Sequence, residues 1–292
     1  ALYTARSFPK DYWNQVSFVT EPTGHLIGQF RFQGSGADFK ASNEKNFLAS
    51  DDEWFSPIMA EVGPDGALWV LDWYNFIIQH NPVPNGFKNG KGNAYETPLR
   101  DKTHGRIYRI THRDGQPAPK VDLSGRDSTR WLEALGSPVM EVRLQAQRRL
   151  VETQDRSLVP ALVRMTSNTT VDELHLNPRV LHALWTLHGL GASDAVPLSV
   201  LRHASPAVRR AAVMTLPADG WTAADWKQLL VSETDAQVRL AALLTIADRG
   251  NTASIFPLIE AFQNPQNTTD PWIKDALTAA GTQHHQAFLT SS

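Results

Sequence analysis

The chain has 292 residues, 41% apolar and 20% charged, a globular composition with enough apolar side chains for two cores. Its formal net charge of −2 gives no general attraction to nucleic acid or to an anionic membrane, and no apolar run approaches the ~18 residues of a membrane span. Cysteine is absent, which removes disulfides, thiol catalysis, iron–sulfur ligation and covalent haem attachment from this chain.

The chain opens on ALYTARSFPKDYW without an initiator Met and is expected to be a segment of a longer protein. Up to about Leu123 it is rich in aromatics, glycine and β-type alternation; from Ser124 onward Ala, Leu, Val and Arg recur at helical spacing. Two domains are expected, 1–123 and 124–292, with Thr111–Asp122 and its Pro117 and Pro119 as the linker.

In the first half, Val16–Thr20 reads as a strand ending in Glu21-Pro22. Thr23-Gly24 turns the chain into a second strand over His25–Phe32. Asn46–Ser50 is a further short strand. Phe55–Val62 comes next, then the tight turn Gly63-Pro64-Asp65-Gly66, then Ala67–Trp73. About thirty residues rich in Asn, Gly, Pro and Lys follow, too many for a simple hairpin. Gly105–Ile110 is the last strand. Glu21 and Asp72, each ending a strand, lie 51 residues apart. A period near 50 with several short strands per unit is a signature of β-propeller blades, and a partial propeller of about two blades is the expected fold of this half. Strand alternation in such blades would carry Glu21, His25, Asp51–Glu53, Asp72–His80 and Asp101–His104 to one face.

The second half repeats a helix-start signal of Asp, Asn or Ser with Pro, followed by apolar residues three and four apart. Taking Val142, Val180, Val208, Val238 and Ile273 as reference gives spacings of 38, 28, 30 and 35. Helical pairs of this kind cannot bury their apolar faces alone and must stack, as HEAT-type repeats do. Four to five pairs are expected, with the recurring Arg143, Arg209 and Arg239 bonding between neighbours. Thr282–Ser292 reads as a frayed end.

Chemistry is expected on the loop face of the first half. Asp51, Asp52, Glu53, Asp72 and Asp101 offer hard oxygen ligands of the kind calcium takes. His80 and His104 are candidates for a general base, since an unperturbed imidazole titrates near pH ~6.5. Arg100 and Arg106 suit an anionic cofactor or a hydroxylated substrate, and Trp54, Trp73 and Tyr74 a sugar ring or flat cofactor. Each has an ordinary structural alternative. Asp72 ends a strand, the Asp51–Glu53 run is a solvated turn, the aromatics pack, and His104 sits beside Gly105 at a corner. No histidine pair elsewhere has zinc spacing, and no phosphate loop, dinucleotide-binding glycine pattern or GxSxG occurs. Gly86–Gly92 reads as a flexible loop. Asn168-Thr169-Thr170 and Asn267-Thr268-Thr269 match a glycosylation sequon.

The run DDEWFSPIMAEVGPDGALWVLDWYNFIIQHNP, with GKGNAYETPLRDKTHGRIYRI after it and YWNQVSFVTEPTGHLIGQF before it, resembles a family of large membrane-bound dehydrogenase-type proteins of planctomycetes and verrucomicrobia. The resemblance covers about residues 1–125. It implies a propeller similar to soluble quinoprotein glucose and sorbosone dehydrogenases, then HEAT-type repeats, then a c-type cytochrome domain that is not in this chain. Sugar or polyol oxidation with pyrroloquinoline quinone and calcium follows as an expectation, with electrons passing to haem docked on the HEAT surface and a periplasmic or exported setting. Under that reading His80, His104 and Arg106 are the catalytic candidates. Trp73, Tyr74 and Arg100 would hold cofactor, and Asp51, Asp52, Glu53 and Asp72 metal. The alternative is a non-catalytic module binding glycan or protein. Fold alone does not decide between them.

Overall fold

The computed structural model describes residues 1–76, 78, 85, 86, 88 and 103–286. The chain divides into two compact units. One comprises Ala1–Gln33, Lys40–Val121 and Pro138–Glu141; the other comprises Gly34–Phe39, Asp122–Ser137 and the chain from Val142 onward.

Among the described residues the strands are β1 (Val16–Glu21), β2 (Leu26–Ser35), β3 (Asp38–Ala49), β4 (Pro57–Val62), β5 (Leu68–Asp72) and β6 (Arg106–Ile110), all in the first unit save the tip of the β2–β3 hairpin. The alternation that predicts them is visible in their burial. In β5, Leu68, Val70 and Asp72 point inward and Trp69 and Leu71 outward, as the two-residue period of a strand requires. In β4 the alternation slips by one residue near Pro57, where a bulge breaks the pairing with β5. The Gly63–Gly66 turn that joins β4 to β5 closes with a 2.9 Å bond from the Gly66 N–H to the Gly63 carbonyl.

These strands do not build a β-propeller. They form two separate three-stranded antiparallel sheets, β1–β2–β3 and β4–β5–β6, whereas a propeller is a ring of four-stranded blades. The strand expected over Asn46–Ser50 as the rim of a preceding blade is the end of β3. That strand is 12 residues long, and its first nine residues are exposed. Lys40, Glu44 and Lys45 on it are the charged side chains with which an edge strand resists further pairing. The fifty-residue repeat is a repeat of strand–turn–strand units, which is a local pattern. Strand number per sheet and ring closure depend on distant parts of the chain, and the repeat does not encode them.

The first unit is closed by its N-terminal segment. Tyr3, Phe8 and Phe18 are buried together, with Tyr3 stacked on Phe8 at 4.4 Å between ring centroids. The Tyr3 hydroxyl donates to the Gly66 carbonyl at 2.7 Å and accepts from the Phe8 N–H at 2.8 Å. The Thr111–Asp122 stretch is also tied down, since the Ala118 N–H donates to the Asp65 carbonyl at 2.9 Å.

The helices are α1 (Ser128–Ala134), α2 (Met140–Thr153), α3 (Val159–Thr166), α4 (Pro178–Gly189), α5 (Pro206–Thr215), α6 (Ala223–Lys227), α7 (Ala236–Arg249), α8 (Ile255–Gln263), α9 (Pro265–Thr268) and α10 (Pro271–Gln283). The repeated helices α4, α5 and α10 start at Asn-Pro, Ser-Pro and Asp-Pro, while α7 starts after Asp235 without a proline. Asn177, Asp235 and Asp270 cap α4, α7 and α10 by accepting backbone N–H bonds, and Pro178, Pro206 and Pro271 occupy first turns. The reference residues Val142, Val180, Val208, Val238 and Ile273 are all buried, as are Ala146, Leu184, Ala212, Ala242 and Leu277 four residues on. α3 packs on α4, α4 on α5, α5 on α7 and α7 on α10, which is a HEAT-like array. Between α4 and α5 the connecting helix is reduced to short 3-10 turns at Ser193–Ala195 and Leu198–Arg202. That accounts for the 28-residue spacing from Val180 to Val208, the shortest of the four and well below the ~40 residues usual in HEAT repeats.

The recurring arginine does more than link neighbours. Arg143, Arg209 and Arg239 each donate to the carbonyl six residues earlier, those of Ser137, His203 and Glu233, at 2.6, 2.8 and 2.7 Å. Each thus closes its own helix entrance. Arg143 also reaches His182 at 3.1 Å, and Arg209 reaches Glu233 at 2.6 and 2.7 Å, both on the following copy. The third, Arg239, leaves a buried Nε without a hydrogen-bond partner.

Candidate functional site

The β4–β5–β6 sheet register creates the candidate site. Asp72 pairs with Pro57 on one side and Arg106 on the other, and Val70 pairs with Tyr108. The last residue of the central strand therefore lies between the two edges. Arg106 and Tyr108, two apart on β6, face the same way. The Arg106 guanidinium donates to Tyr108 Oη and to Asp52 Oδ2, both at 3.2 Å, and the Tyr108 hydroxyl donates on to Asp72 Oδ2 at 3.4 Å. The Tyr108 hydroxyl, with Asp52, holds Arg106 above its ordinary pKa, against the effect of burial.

Asp72 is buried and fully used. Its Oδ1 accepts from the N–H groups of Ser56 and Tyr74, each at 2.8 Å. The second bond pins Tyr74 at a φ of 51°, a left-handed conformation costly for a bulky aromatic residue and typical of a site held in place by its surroundings. Tyr74 there receives the Arg106 guanidinium 3.5 Å above its ring and Trp54 at 5.8 Å between centroids. Trp54 is placed by an Asx-type turn, in which Asp52 Oδ1 accepts the Trp54 N–H at 3.0 Å. Trp54, Tyr74, His104, Gly105 and Arg106 line an open cleft of about 550 Å³. His104 Nδ1 lies 3.1 Å from the Thr103 hydroxyl.

The structure thus brings together Asp52, Tyr74, His104 and Arg106 from the sequence candidates, with Trp54 beside them and Asp72 beneath. Asp51 and Glu53 are exposed and stand apart from this hydrogen-bonded group, and Trp73 does not line the cleft. His25, expected on the same face, places Nδ1 2.6 Å from the Phe55 carbonyl. Glu21 instead closes its own turn through the N–H groups of Thr23 and Gly24. His80, Arg100 and Asp101 lie outside the described residues. Tyr108 escapes the sequence reading, although its place two residues from Arg106 on a strand is the signal that finds it.

Asp72 and Asp52 do not fit calcium. Asp72 has both oxygens occupied by protein donors, and Asp52 divides its oxygens between the Trp54 N–H and Arg106. Calcium takes six to eight oxygen ligands, and among the described residues no three His, Asp or Glu side chains come together as a metal set. Nor does the described lining suit a polyanionic quinone, since the Arg106 charge is already offset by Asp52.

Of the two sequons, Asn267 is fully buried and donates to the Leu230 and Ala261 carbonyls, which leaves it inaccessible to glycosylation.

Residues 1–114 match the model of a domain of unknown function, DUF7133. No curated protein matches the chain. Among the described residues no helix is long and apolar enough to cross a membrane.

Proposed function

We propose that the first unit recognises a sugar or other polyol in the Trp54–Tyr74–Arg106 cleft, and that the helical array is a scaffold for a protein partner. One observation carries the reading. A bulky aromatic residue is held in a left-handed conformation at the mouth of an open cleft, with a guanidinium stacked on it and an indole beside it. Aromatic faces next to fixed polar donors suit a ligand with an apolar ring face and hydroxyl edges. Trp54 supplies the stacking surface, because the Arg106 guanidinium covers Tyr74. Arg106 and His104 supply the polar contacts. For the second unit, the exposed Leu144, Met214, Leu244, Phe256 and Trp272 support a docking role.

The test is calorimetric titration of the chain with a panel of neutral sugars and polyols. Saturable binding that Trp54→Ala removes supports the reading; a panel with no saturable member sinks it. Pyrroloquinoline quinone with calcium is the second titrant. Quinone binding that depends on Arg106 would move the assignment to the oxidoreductase reading, in an exported protein that passes electrons to a separate haem domain.

A further inference from the structure

The strand pair β5–β6 has a second end. Asp72 and Arg106 mark the cleft end; Leu68 pairs with Ile110 at the other. There the N-terminal segment, the Gly63–Gly66 turn and the stretch after β6 enclose a separate pocket of about 290 Å³, lined among others by Ser7, Asp65, Arg109, His112, Arg113 and Gln116. The sequence marks part of this region only as a linker.

The pocket walls are held at backbone contact. Gly66 has a φ of 78°, and a Cβ there would collide with the Ser7 hydroxyl. A Cβ on Gly115 would collide with the Ser7 carbonyl. The Ala118 N–H bond to the Asp65 carbonyl and the Tyr3 hydroxyl bond to the Gly66 carbonyl fix the same three segments. The cavity is therefore preformed.

Its chemistry is biased toward donors. Asp65 is the described carboxylate in the lining, and it is already occupied. Oδ1 accepts from the Ala67 N–H at 3.1 Å and the Trp69 indole at 3.0 Å, and Oδ2 from Arg109 Nε at 2.5 Å. The Asp65–Arg109 pair cancels in charge. Arg113 adds a positive charge with no carboxylate partner among the described residues of the lining, and Gln116 adds amide donors. His112 Nδ1 accepts the Asp114 N–H at 3.2 Å, which leaves the proton of the neutral ring on Nε2. We infer that this pocket binds a compact organic anion, its carboxylate or phosphate group held by the Arg113 guanidinium with Gln116 and His112 as further donors. A guanidinium fork matches either group with paired hydrogen bonds. The volume sits at the small end of ligand pockets and suits one compact metabolite, not a dinucleotide.

The experiment is titration calorimetry of the full chain at low and constant ionic strength, with inorganic phosphate, citrate and chloride as titrants. Saturable binding of phosphate or citrate is expected, with chloride silent; phosphate alone points to a phosphorylated ligand and citrate alone to a carboxylate. Arg113→Ala should weaken binding by about tenfold or more, the loss of one charged hydrogen-bonded contact. Arg113 is exposed, so this variant keeps the fold, and Trp54→Ala at the other end of the strands should leave anion binding unchanged. Two results overturn the assignment: no saturable binding of either anion, or binding that is equal in Arg113→Ala.

Discussion

The sheets and the helical array both carry a sequence repeat, and only in the array does the repeat also set the assembly. Each helical copy brings its buried Val or Ile and its buried residue four positions on, in three cases a side-chain cap, and in three an arginine that closes the helix entrance. Copies that must bury one apolar face against the next can stack in only one way, so local pattern and global arrangement coincide. The strand units carry equally clear local signals. They end as two three-stranded sheets because pairing partners are chosen across the whole chain. A repeat predicts architecture when its contacts are between nearest neighbours, and predicts only elements when they are not.

The buried Arg209–Glu233 pair offers the hardest break of that nearest-neighbour logic. It joins one copy to the next with the Glu233 side chain only 3% exposed. Against the pull of burial, the hydrogen bonds from Arg209 hold the Glu233 carboxyl below its ordinary pKa. Arg209→Ala leaves that carboxylate buried and unpaired and should cost about 3–5 kcal/mol in urea unfolding. A loss too small to measure would mean that the copies do not depend on this link.

His182 sharpens the same point through pH. Burial, and then the Arg143 charge, push its pKa down to about 3. The ring is neutral in the fold, donating from Nδ1 to Gln147 Oε1 at 2.7 Å and accepting from Arg143 Nε at 3.1 Å. The unfolded chain takes up a proton below pH ~6.5 and the folded chain does not, so stability is complete above that pH. It should fall as pH drops from ~6.5 toward about 3, by up to roughly 1.4 kcal/mol per pH unit from this group. Unfolding of wild type and His182→Gln across that range measures it. Equal pH slopes in the two proteins would remove His182 from the account.

A smaller effect tests the caps. Asp270 Oδ1 caps α10 through the Trp272 and Ile273 N–H groups at 3.0 and 3.1 Å, while its Oδ2 accepts the Ala37 N–H at 2.7 Å. Asp270→Ala should cost about 1 kcal/mol or somewhat more. The smallest effect is expected in the sheets. Asp52→Asn weakens a solvent-exposed pair with Arg106 and should leave the unfolding midpoint where it is. Its consequence belongs to the cleft, where Arg106 loses its charged partner and keeps the Tyr108 hydroxyl and the Tyr74 ring.

The strand positions, helix starts and repeat registers were legible because each rests on a short-range pattern. The Gly63–Gly66 turn, the Asp/Asn-Pro starts and the alternation of β5 are of this kind. Asp72 was legible as a strand end, and its neighbourhood with Arg106 followed once β5 and β6 were placed. The left-handed Tyr74 was not, because nothing in Trp73-Tyr74-Asn75 reports which residue a buried carboxylate will pin. The pocket at Arg113 was hidden for another reason. Its walls come from residues 7, 65 and 115, and proline and glycine in the last segment read as linker until Ala118 is seen bonded to Asp65.

The most direct test of sugar or polyol recognition is a paired titration of three proteins: wild type, Trp54→Ala and Arg113→Ala. Each is titrated with the best-binding neutral sugar or polyol from the panel. The account predicts saturable binding in wild type and Arg113→Ala and its loss in Trp54→Ala. Equal binding in all three proteins, or binding lost only in Arg113→Ala, would contradict it.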